Sequence, residues 1–178
     1  MPKIIQNAKE NITRTARDLL TSKGLSGLNM RALADTAGVA AGTLYNYFPS
    51  KEHLMAAVML EDWEKALCAA EKKIATAPSA ITGLEIIFQV IRGFSDTYRI
   101  VWDTIQSAKE YRSIRLKYHK MLIDQLNDQI RPLGMRFGFL YDVTVPHFLS
   151  EVLLTGASHP QGRFCYLSPC LKRIVGEA

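Results

Sequence analysis

Hydrophobic residues recur at helical spacing along almost the whole chain. In residues 3–23 they fall three or four positions apart, and Gly24 follows as a stop: Ile5, Ala8, Ile12, Ala16, Leu19 and Leu20. Similar patterns predict helices over residues 50–77, 79–99, 100–107 and 110–130, with a loop from Pro132 to Gly138. Residues 141–178 predict two further helices, the last beginning at Ser168 and Pro169. Because no useful strand-like alternation occurs, we expect an all-α fold.

Residues 29–51 predict two short helices that meet at a tight turn. Asn29 is a favourable N-cap for the first, and Gly38 ends it because glycine adopts left-handed angles at low steric cost. The second runs from about Ala41 to Phe48 and is stopped by Pro49. Two short helices joined by a glycine turn are the pattern of a helix-turn-helix.

The second of these helices predicts a polar outward face. Leu44 and Phe48 are four residues apart and share the apolar side, so Gly42, Thr43 and Asn46 lie opposite, with Tyr45 and Tyr47 on the flanks. A small polar face of this kind suits a recognition helix in the major groove. The alternative is that the tyrosines are packing residues, since similar turns occur in proteins that never meet DNA.

The chain carries a longer motif around this helix. Gly38 and Val39, followed by the run GTLYNYFPSKEHL from Gly42 to Leu54, resemble the signature of the tetracycline-repressor (TetR) family of bacterial transcription regulators. The resemblance covers residues 9–60. Ala40 and Met30 depart from it, because family members often have a hydroxyl residue at both positions. The resemblance implies an N-terminal three-helix head, residues 1–49, and a C-terminal helical dimerisation and effector lobe, residues 50–178.

The residues expected to contact DNA lie in and beside the recognition helix. Thr43 and Asn46 are expected to read base edges, and the others to contact phosphates or to let the backbones approach. The full set is Arg31, Ala41, Gly42, Thr43, Tyr45, Asn46, Tyr47 and Lys51. Lys51 is the first residue of a helix capped by Ser50, where a phosphate clamp is expected.

The resemblance also implies two sites in the C-terminal lobe. A small-molecule effector pocket would be lined by Phe88, Phe94, Tyr98, Trp102, Asp103, Gln106, Tyr111, Tyr118 and Met121. A dimer interface formed by the last two helices would include Phe148, Leu149, Val152, Leu153, Gly156, Leu171 and Ile174. The alternative for both sets is that aromatic and aliphatic residues at helical spacing are core residues.

Charge is unevenly distributed along the sequence. Residues 1–51 contain seven basic and three acidic residues, a net charge of +4, whereas the remainder has 15 basic and 14 acidic residues. This bias favours a polyanionic partner and salt-dependent binding. The alternative is a solvated basic face without a partner.

Other features point away from catalysis and from a membrane. No G-x-S-x-G, H-E-x-x-H, P-loop or G-x-G-x-x-G motif occurs, and the four histidines are dispersed, so we expect no enzyme activity, no metal and no cofactor. The three cysteines lack metal-ligand spacing and are expected to be reduced thiols. Since neither a secretory segment nor a membrane span is visible, we expect a cytoplasmic protein.

These observations predict a homodimeric, sequence-specific transcription regulator, a repressor released from a palindromic operator in double-stranded DNA by a small-molecule effector. Two other hypotheses remain open. One is a helical interaction protein, and the other is a small-molecule binding protein that does not bind an operator.

Overall fold

The chain is all-α, as the hydrophobic pattern predicts. The computed structural model describes residues 8–107 and 111–177, apart from the side chains of Gln106, Ser107 and Ile114. Within these ranges there is no strand. The helices are α1 (Ala8–Lys23), α2 (Met30–Thr36), α3 (Ala41–Tyr47), α4 (Lys51–Ala75), α5 (Ala80–Thr97), α6 (Arg99–Ser107), α7 (Arg112–Phe137), α8 (Val145–Ser158) and α9 (Phe164–Val175).

Helix α7 continues beyond its predicted end. The prediction that Pro132 ends this helix is wrong, because Pro132 lies inside it and the helix stops only at Gly138, whose φ is 74°. Proline removes one backbone hydrogen bond, but the buried side chains of Ile130 and Leu133 hold the surrounding turns against the core. Gly134 is a packing residue, since a Cβ there would lie 2.5 Å from the Leu140 side chain.

Helix α9 begins before its predicted start. The prediction of a start at Ser168 and Pro169 is wrong, because the first helical residue is Phe164 and Pro169 lies in the interior. The Phe164 ring is buried and meets the Phe88 ring edge-on, with 5.5 Å between centroids. This long-range contact stabilises a first turn that local sequence signals do not specify.

The chain forms two compact units. The first contains residues 1–64 and 97–108, and the second contains residues 65–96 and 109–178, so α4 contributes residues to both. In the first unit, α1 packs against α2, α3 and α6. Its fully buried residues include Ile12, Leu20, Leu33, Leu44, Leu54 and Trp63. These side chains form the core that supports the helix-turn-helix.

A polar cluster joins three segments of the first unit. The Arg17 Nε donates to both carboxylate oxygens of Asp62 at 2.8 Å, and the Tyr98 hydroxyl donates to Asp62 Oδ2 at 2.6 Å. Arg17 also forms an ion pair with Glu61, 3.3 Å away. Because Asp62 is paired and hydrogen-bonded, its charge is tolerated away from bulk water. The cluster therefore fixes α1 and the residue between α5 and α6 to α4.

The second unit is built on α5, α7, α8 and α9. Its core includes Leu84, Phe88, Leu126, Leu149, Leu153 and Leu171. Two charged side chains bind helix ends across this unit. Arg92 donates to the carbonyls of His159 and Gly162 after α8, and Glu177 accepts from the N–H of Ala80 at the start of α5 at 2.6 Å.

Candidate nucleic-acid interface

Helix α2 begins at the predicted cap. The Asn29 Oδ1 accepts hydrogen bonds from the backbone N–H groups of Arg31 and Ala32, at 3.0 and 3.1 Å, which confirms Asn29 as the N-cap. Leu33 is fully buried and directs one side of α2 into the core. Gly38 has a φ of 69°, so it makes the tight turn at the end of this helix.

Helix α3 has opposite faces of opposite character. Leu44 is fully buried and Phe48 is only 4% exposed, whereas Tyr45 and Tyr47 are 44% and 49% exposed. Asn46 is also exposed, and a Cβ added at Gly42 would have no neighbouring heavy atom within 4 Å. The apolar side therefore anchors the helix, and the small polar side is free for a macromolecular partner.

The ends of α3 show how this face is held. Ala40 is the N-cap residue of α3, and because its side chain is a methyl group it provides no hydrogen bond to the N-terminus of the helix. At the other end, the Tyr47 ring lies 6.4 Å from the ring of the buried Phe48, with the rings tilted by 42°. The contact with Phe48 restricts the orientation of Tyr47 on the exposed surface.

The start of α4 places a cation beside this face. Ser50 Oγ accepts from the His53 backbone N–H at 3.4 Å and lies 3.0 Å from His53 Nδ1, so it closes the first turn that Lys51 begins. Burial opposes ionisation of Glu52, but the Ser50 hydroxyl, a backbone N–H and Lys51 together lower the pKa of this carboxyl below its ordinary value. Glu52 is therefore anionic at neutral pH, directly next to Lys51.

All eight residues expected to contact DNA lie in the first unit and reach the surface. Thr43 and Lys51 are partly exposed, and the other six are exposed: Arg31, Ala41, Gly42, Tyr45, Asn46 and Tyr47. Their DNA contacts stay predictions. Met30, where the resembled family often has a hydroxyl residue, is the first residue of α2 and is buried.

The residues expected to line an effector pocket are spread over both units. Phe88, Phe94 and Tyr111 are buried in the second unit, and Tyr118 and Met121 are half-buried there. Trp102 and Asp103 belong to the first unit, half-buried and exposed respectively, and the Gln106 side chain lies outside the described part of the structure. Tyr98 belongs to the polar cluster with Asp62. Sequence reasoning missed that cluster because 36 residues separate Tyr98 from Asp62.

A separate groove lies between α4 and α5 in the second unit. It has a volume of about 490 Å³, a floor that includes Ala66, Ala69 and Ala70, and Lys73 and Glu85 among its polar residues. None of the residues expected to line an effector pocket lines this groove. Sequence periodicity gave no signal for it, because small residues at helical spacing usually mark close packing rather than a cavity.

The residues expected at a dimer interface fall into two groups. Leu149, Leu153 and Leu171 are buried within the single chain. Phe148 is 53% exposed, and the remaining members, Val152, Gly156 and Ile174, are partly exposed. The outward face of α8 is therefore open to a partner, while the buried leucines belong to the core of the second unit.

The described residues offer neither a metal-binding cluster nor a membrane-spanning helix. They contain no group of three or more histidine, cysteine or acidic side chains arranged to hold a metal ion. Among the helices that the structure describes, none has the length and apolar content required to cross a membrane.

Comparison with known proteins identifies the helix-turn-helix segment. The family model described as "Bacterial regulatory proteins, tetR family" matches residues 12–58. The HTH-type transcriptional regulator UidR of Escherichia coli (strain K12) is 36% identical over 62 residues, which are 35% of this chain and 32% of that protein. The HTH-type transcriptional repressor KstR of Rhodococcus jostii (strain RHA1) is 45% identical over 47 residues, 26% of this chain and 22% of that protein. The matched part spans about a third or less of these curated relatives.

Solved structures resemble the chain over nearly its whole length. Salmonella enterica GusR has a TM-score of 0.67 at 17% identity, with 98% of each chain covered. RolR, solved without ligand, also has a TM-score of 0.67 at 17% identity, and the alignment covers 95% of this chain and 91% of that one. At this identity the likeness concerns the fold. Residues 12–58 match the tetR family of bacterial regulatory proteins, and the chain as a whole shares the fold of these solved structures.

Proposed function

We propose that this protein is a sequence-specific DNA-binding transcription regulator, and specifically a repressor. The observation that carries the proposal is the two-sided character of α3, in which buried Leu44 and Phe48 fix a helix whose opposite side exposes Gly42 and Asn46. This is the arrangement that a recognition helix requires in the major groove. The matched relative KstR is a repressor by name, which supports the direction of regulation.

Each exposed residue has a distinct role in the proposal. Thr43 and Asn46 carry hydrogen-bonding groups that read base edges, while Ala41 and Gly42 let the helix approach closely. Tyr45, Tyr47, Arg31 and Lys51 donate to phosphates on the groove walls. The phosphate contacts provide affinity and register, and the base contacts provide preference for one sequence.

We further propose that the protein acts as a homodimer. A two-fold dimer presents two recognition helices to half-sites about 34 Å apart, so the operator is a palindrome. The exposed aromatic ring of Phe148 on α8 supports an interface on the outward face of this helix. Leu149 and Leu153 contribute indirectly, by holding α8 in place.

A small-molecule effector is part of the proposal. An effector that binds more tightly to the DNA-incompetent state shifts the population toward that state and releases the operator. The members of the predicted lining that lie in the second unit, and the groove between α4 and α5 in the same unit, are the candidate binding regions. The groove's apolar floor suits a small, largely apolar ligand. The second candidate function, a small-molecule binding protein without an operator, is favoured by this groove together with the missing side-chain cap at Ala40.

Selection from a random duplex pool tests the proposed function. The purified protein should enrich a palindrome whose half-sites are about one helical turn apart. Enrichment of a single asymmetric site would contradict the dimer but retain sequence reading. No enrichment, with weak binding that disappears in salt, would contradict operator binding and favour the second candidate function.

A further inference from the structure

A second concentration of positive charge lies in one helical segment outside the proposed DNA-binding face. The first unit is neutral, with eight basic and eight acidic residues, because the acidic start of α4 offsets the basic helix-turn-helix. The second unit has 14 basic and nine acidic residues. Within it, Arg112–Met121 contains four basic residues and no acidic one: Arg112, Arg115, Lys117 and Lys120. We call this segment the basic segment of α7.

The described side chains of the basic segment are exposed or half-buried. None of its described side chains is buried, whereas Leu122, Ile123 and Leu126 are buried directly after it. The segment is about 15 Å long at 1.5 Å per helical residue. Its exposed length is sufficient for a partner to lie along two to three helical turns.

An apolar side chain lies at the centre of this charged surface. Leu116 is 60% exposed. Arg112 and Lys120 lie one turn before and one turn after it on the same side of the helix, and Arg115 and Lys117 flank it. In the part of the chain that the structure describes, Arg112, Lys117 and Lys120 form no ion pair. The surface therefore combines available cations with one accessible leucine.

The cations in the first turn of α7, Arg112 and Arg115, do not stabilise the helix through its dipole. The first turn of α7 has no acidic residue, and Tyr111 provides no side-chain cap. Cations in the first turn oppose the helix dipole, and a short helical segment gains most of its stability from packing. Neither the helix dipole nor core packing therefore favours cations at this end of α7.

We propose that the basic segment of α7 binds an acidic segment of another protein, with an apolar side chain of that partner packed against Leu116. Carboxylates pair with the surrounding Arg and Lys side chains. A second copy of the same segment would place cations against cations, so it is not the occupant. The phosphate backbone of duplex DNA supplies anions but no apolar side chain to pack against Leu116. This surface is independent of base reading by α3.

Two synthetic peptides provide the first test. Both carry glutamates on one helical face, and they differ only at the central position, which is leucine in one and glutamine in the other. Binding of the full-length protein is measured by fluorescence anisotropy. The Lys117→Glu, Lys120→Glu double variant should bind the leucine peptide about tenfold more weakly or worse. The matched double variant Lys65→Glu, Lys72→Glu on α4, where both side chains are exposed, should stay within about twofold of the unchanged protein.

The role of Leu116 is tested by a second comparison. Leu116→Ala should weaken binding of the leucine peptide about fivefold and leave binding of the glutamine peptide unchanged. Circular dichroism melts establish that each variant is folded, which is expected because all the changed side chains are exposed. Equal losses with both peptides would contradict the proposed apolar contact.

Other polyanions distinguish the alternatives. Random duplex DNA and vesicles containing phosphatidylserine should bind the Lys117→Glu, Lys120→Glu variant and the α4 control variant equally well. If that variant loses affinity for DNA or vesicles but keeps its affinity for the leucine peptide, the partner class is wrong. If it binds the peptide as tightly as the unchanged protein, the proposed surface is wrong.

Discussion

At position 42 the stability of α3 favours alanine, whereas the proposed DNA contact favours the glycine that is present. Glycine in a helix costs about 0.5–1 kcal/mol relative to alanine because its backbone loses more freedom on folding. A Cβ at Gly42 would meet no heavy atom within 4 Å, so the folded chain does not require glycine at this position. A glycine at this position, which has no Cβ, would instead allow another molecule to approach the backbone of α3 closely.

The change Gly42→Ala should therefore stabilise the protein by about 0.5–1 kcal/mol and weaken DNA binding. Gly93→Ala on α5 is the matched control, since a Cβ there would also have open space. It should give a similar gain in stability and no change in DNA affinity. Denaturant unfolding and fluorescence anisotropy measure the two quantities. A Gly42→Ala variant with unaltered DNA affinity would show that this side of α3 does not face DNA.

Two glycines with left-handed angles lie after helices of the first unit, Gly24 after α1 and Gly38 after α2, and their surroundings differ. Gly24 has a φ of 64°, and a Cβ there would lie 2.6 Å from Ile100 Cγ2 on α6. Gly38 has a φ of 69° and open space around the missing Cβ. Both alanine variants carry backbone strain of about 1 kcal/mol, and only Gly24→Ala adds steric overlap.

Gly24→Ala should lower the free energy of unfolding by about 2–4 kcal/mol, and Gly38→Ala by about 1 kcal/mol. Adding Ile100→Ala to Gly24→Ala should recover part of the loss, because it removes the overlapping methyl group. A double-mutant cycle measured by urea unfolding gives this interaction energy. Equal losses for the two single variants would contradict the packing of α6 at Gly24.

Tyr98 makes the free energy of unfolding of the first unit vary with pH in the alkaline range. Burial, and then the hydrogen bond to Asp62, raises the pKa of Tyr98 far above its ordinary value. The native state therefore holds the proton more tightly than the unfolded chain, in which tyrosine ionises near pH ~10. Its contribution to stability is complete below about pH 10 and decreases as the pH rises above that value.

Tyr98→Phe should lower the unfolding free energy by about 1.5–3 kcal/mol at pH 7, since it removes a hydrogen bond to a charged group. The variant should also show a smaller decrease in the free energy of unfolding as the pH rises above about 10, because the contribution of Tyr98 is absent. Tyr166→Phe is the control, because that ring is exposed on α9. Urea unfolding from pH 8 to pH 11 measures both effects. The same alkaline slope in the unchanged protein and in Tyr98→Phe would contradict this account.

Local signals in the sequence were sufficient for some elements and not for others. The cap at Asn29, the turn at Gly38 and the two faces of α3 follow from neighbouring residues, so the helix-turn-helix was predictable. The limits of α7 and α9 were not. Proline signals at Pro132 and Pro169 were overridden by core packing, which depends on residues distant in the chain. The cluster of Tyr98 with Asp62 was missed for the same reason.

At the scale of the whole molecule, the proposed dimer depends on the outward face of α8. Phe148 is exposed there, and the neighbouring Leu149 is fully buried in the same chain. A charge at Phe148 should prevent an apolar interface from forming without disturbing the fold. Truncation of Leu149 should instead destabilise the fold by about 2–5 kcal/mol.

Phe148→Asp should shift sedimentation from dimer to monomer and weaken operator binding by at least about tenfold, while the melting temperature of the monomer stays unchanged. Met135→Asp is a matched control, because Met135 is 71% exposed on α7 and is not part of the proposed interface. A dimer that withstands Phe148→Asp, or one that Met135→Asp disrupts equally, would place the interface elsewhere.

Helix α3 is proposed to read DNA sequence, and a ratio of two dissociation constants measures this most directly. The selected duplex is compared with a scrambled duplex of the same composition, for the unchanged protein and for Asn46→Ala. The unchanged protein should prefer the selected duplex by at least about 10³-fold at physiological salt. Asn46→Ala should reduce this preference by about 1–3 kcal/mol, with the loss confined to one position of each half-site. If Asn46→Ala weakens binding to both duplexes equally, then α3 does not read the bases through this residue.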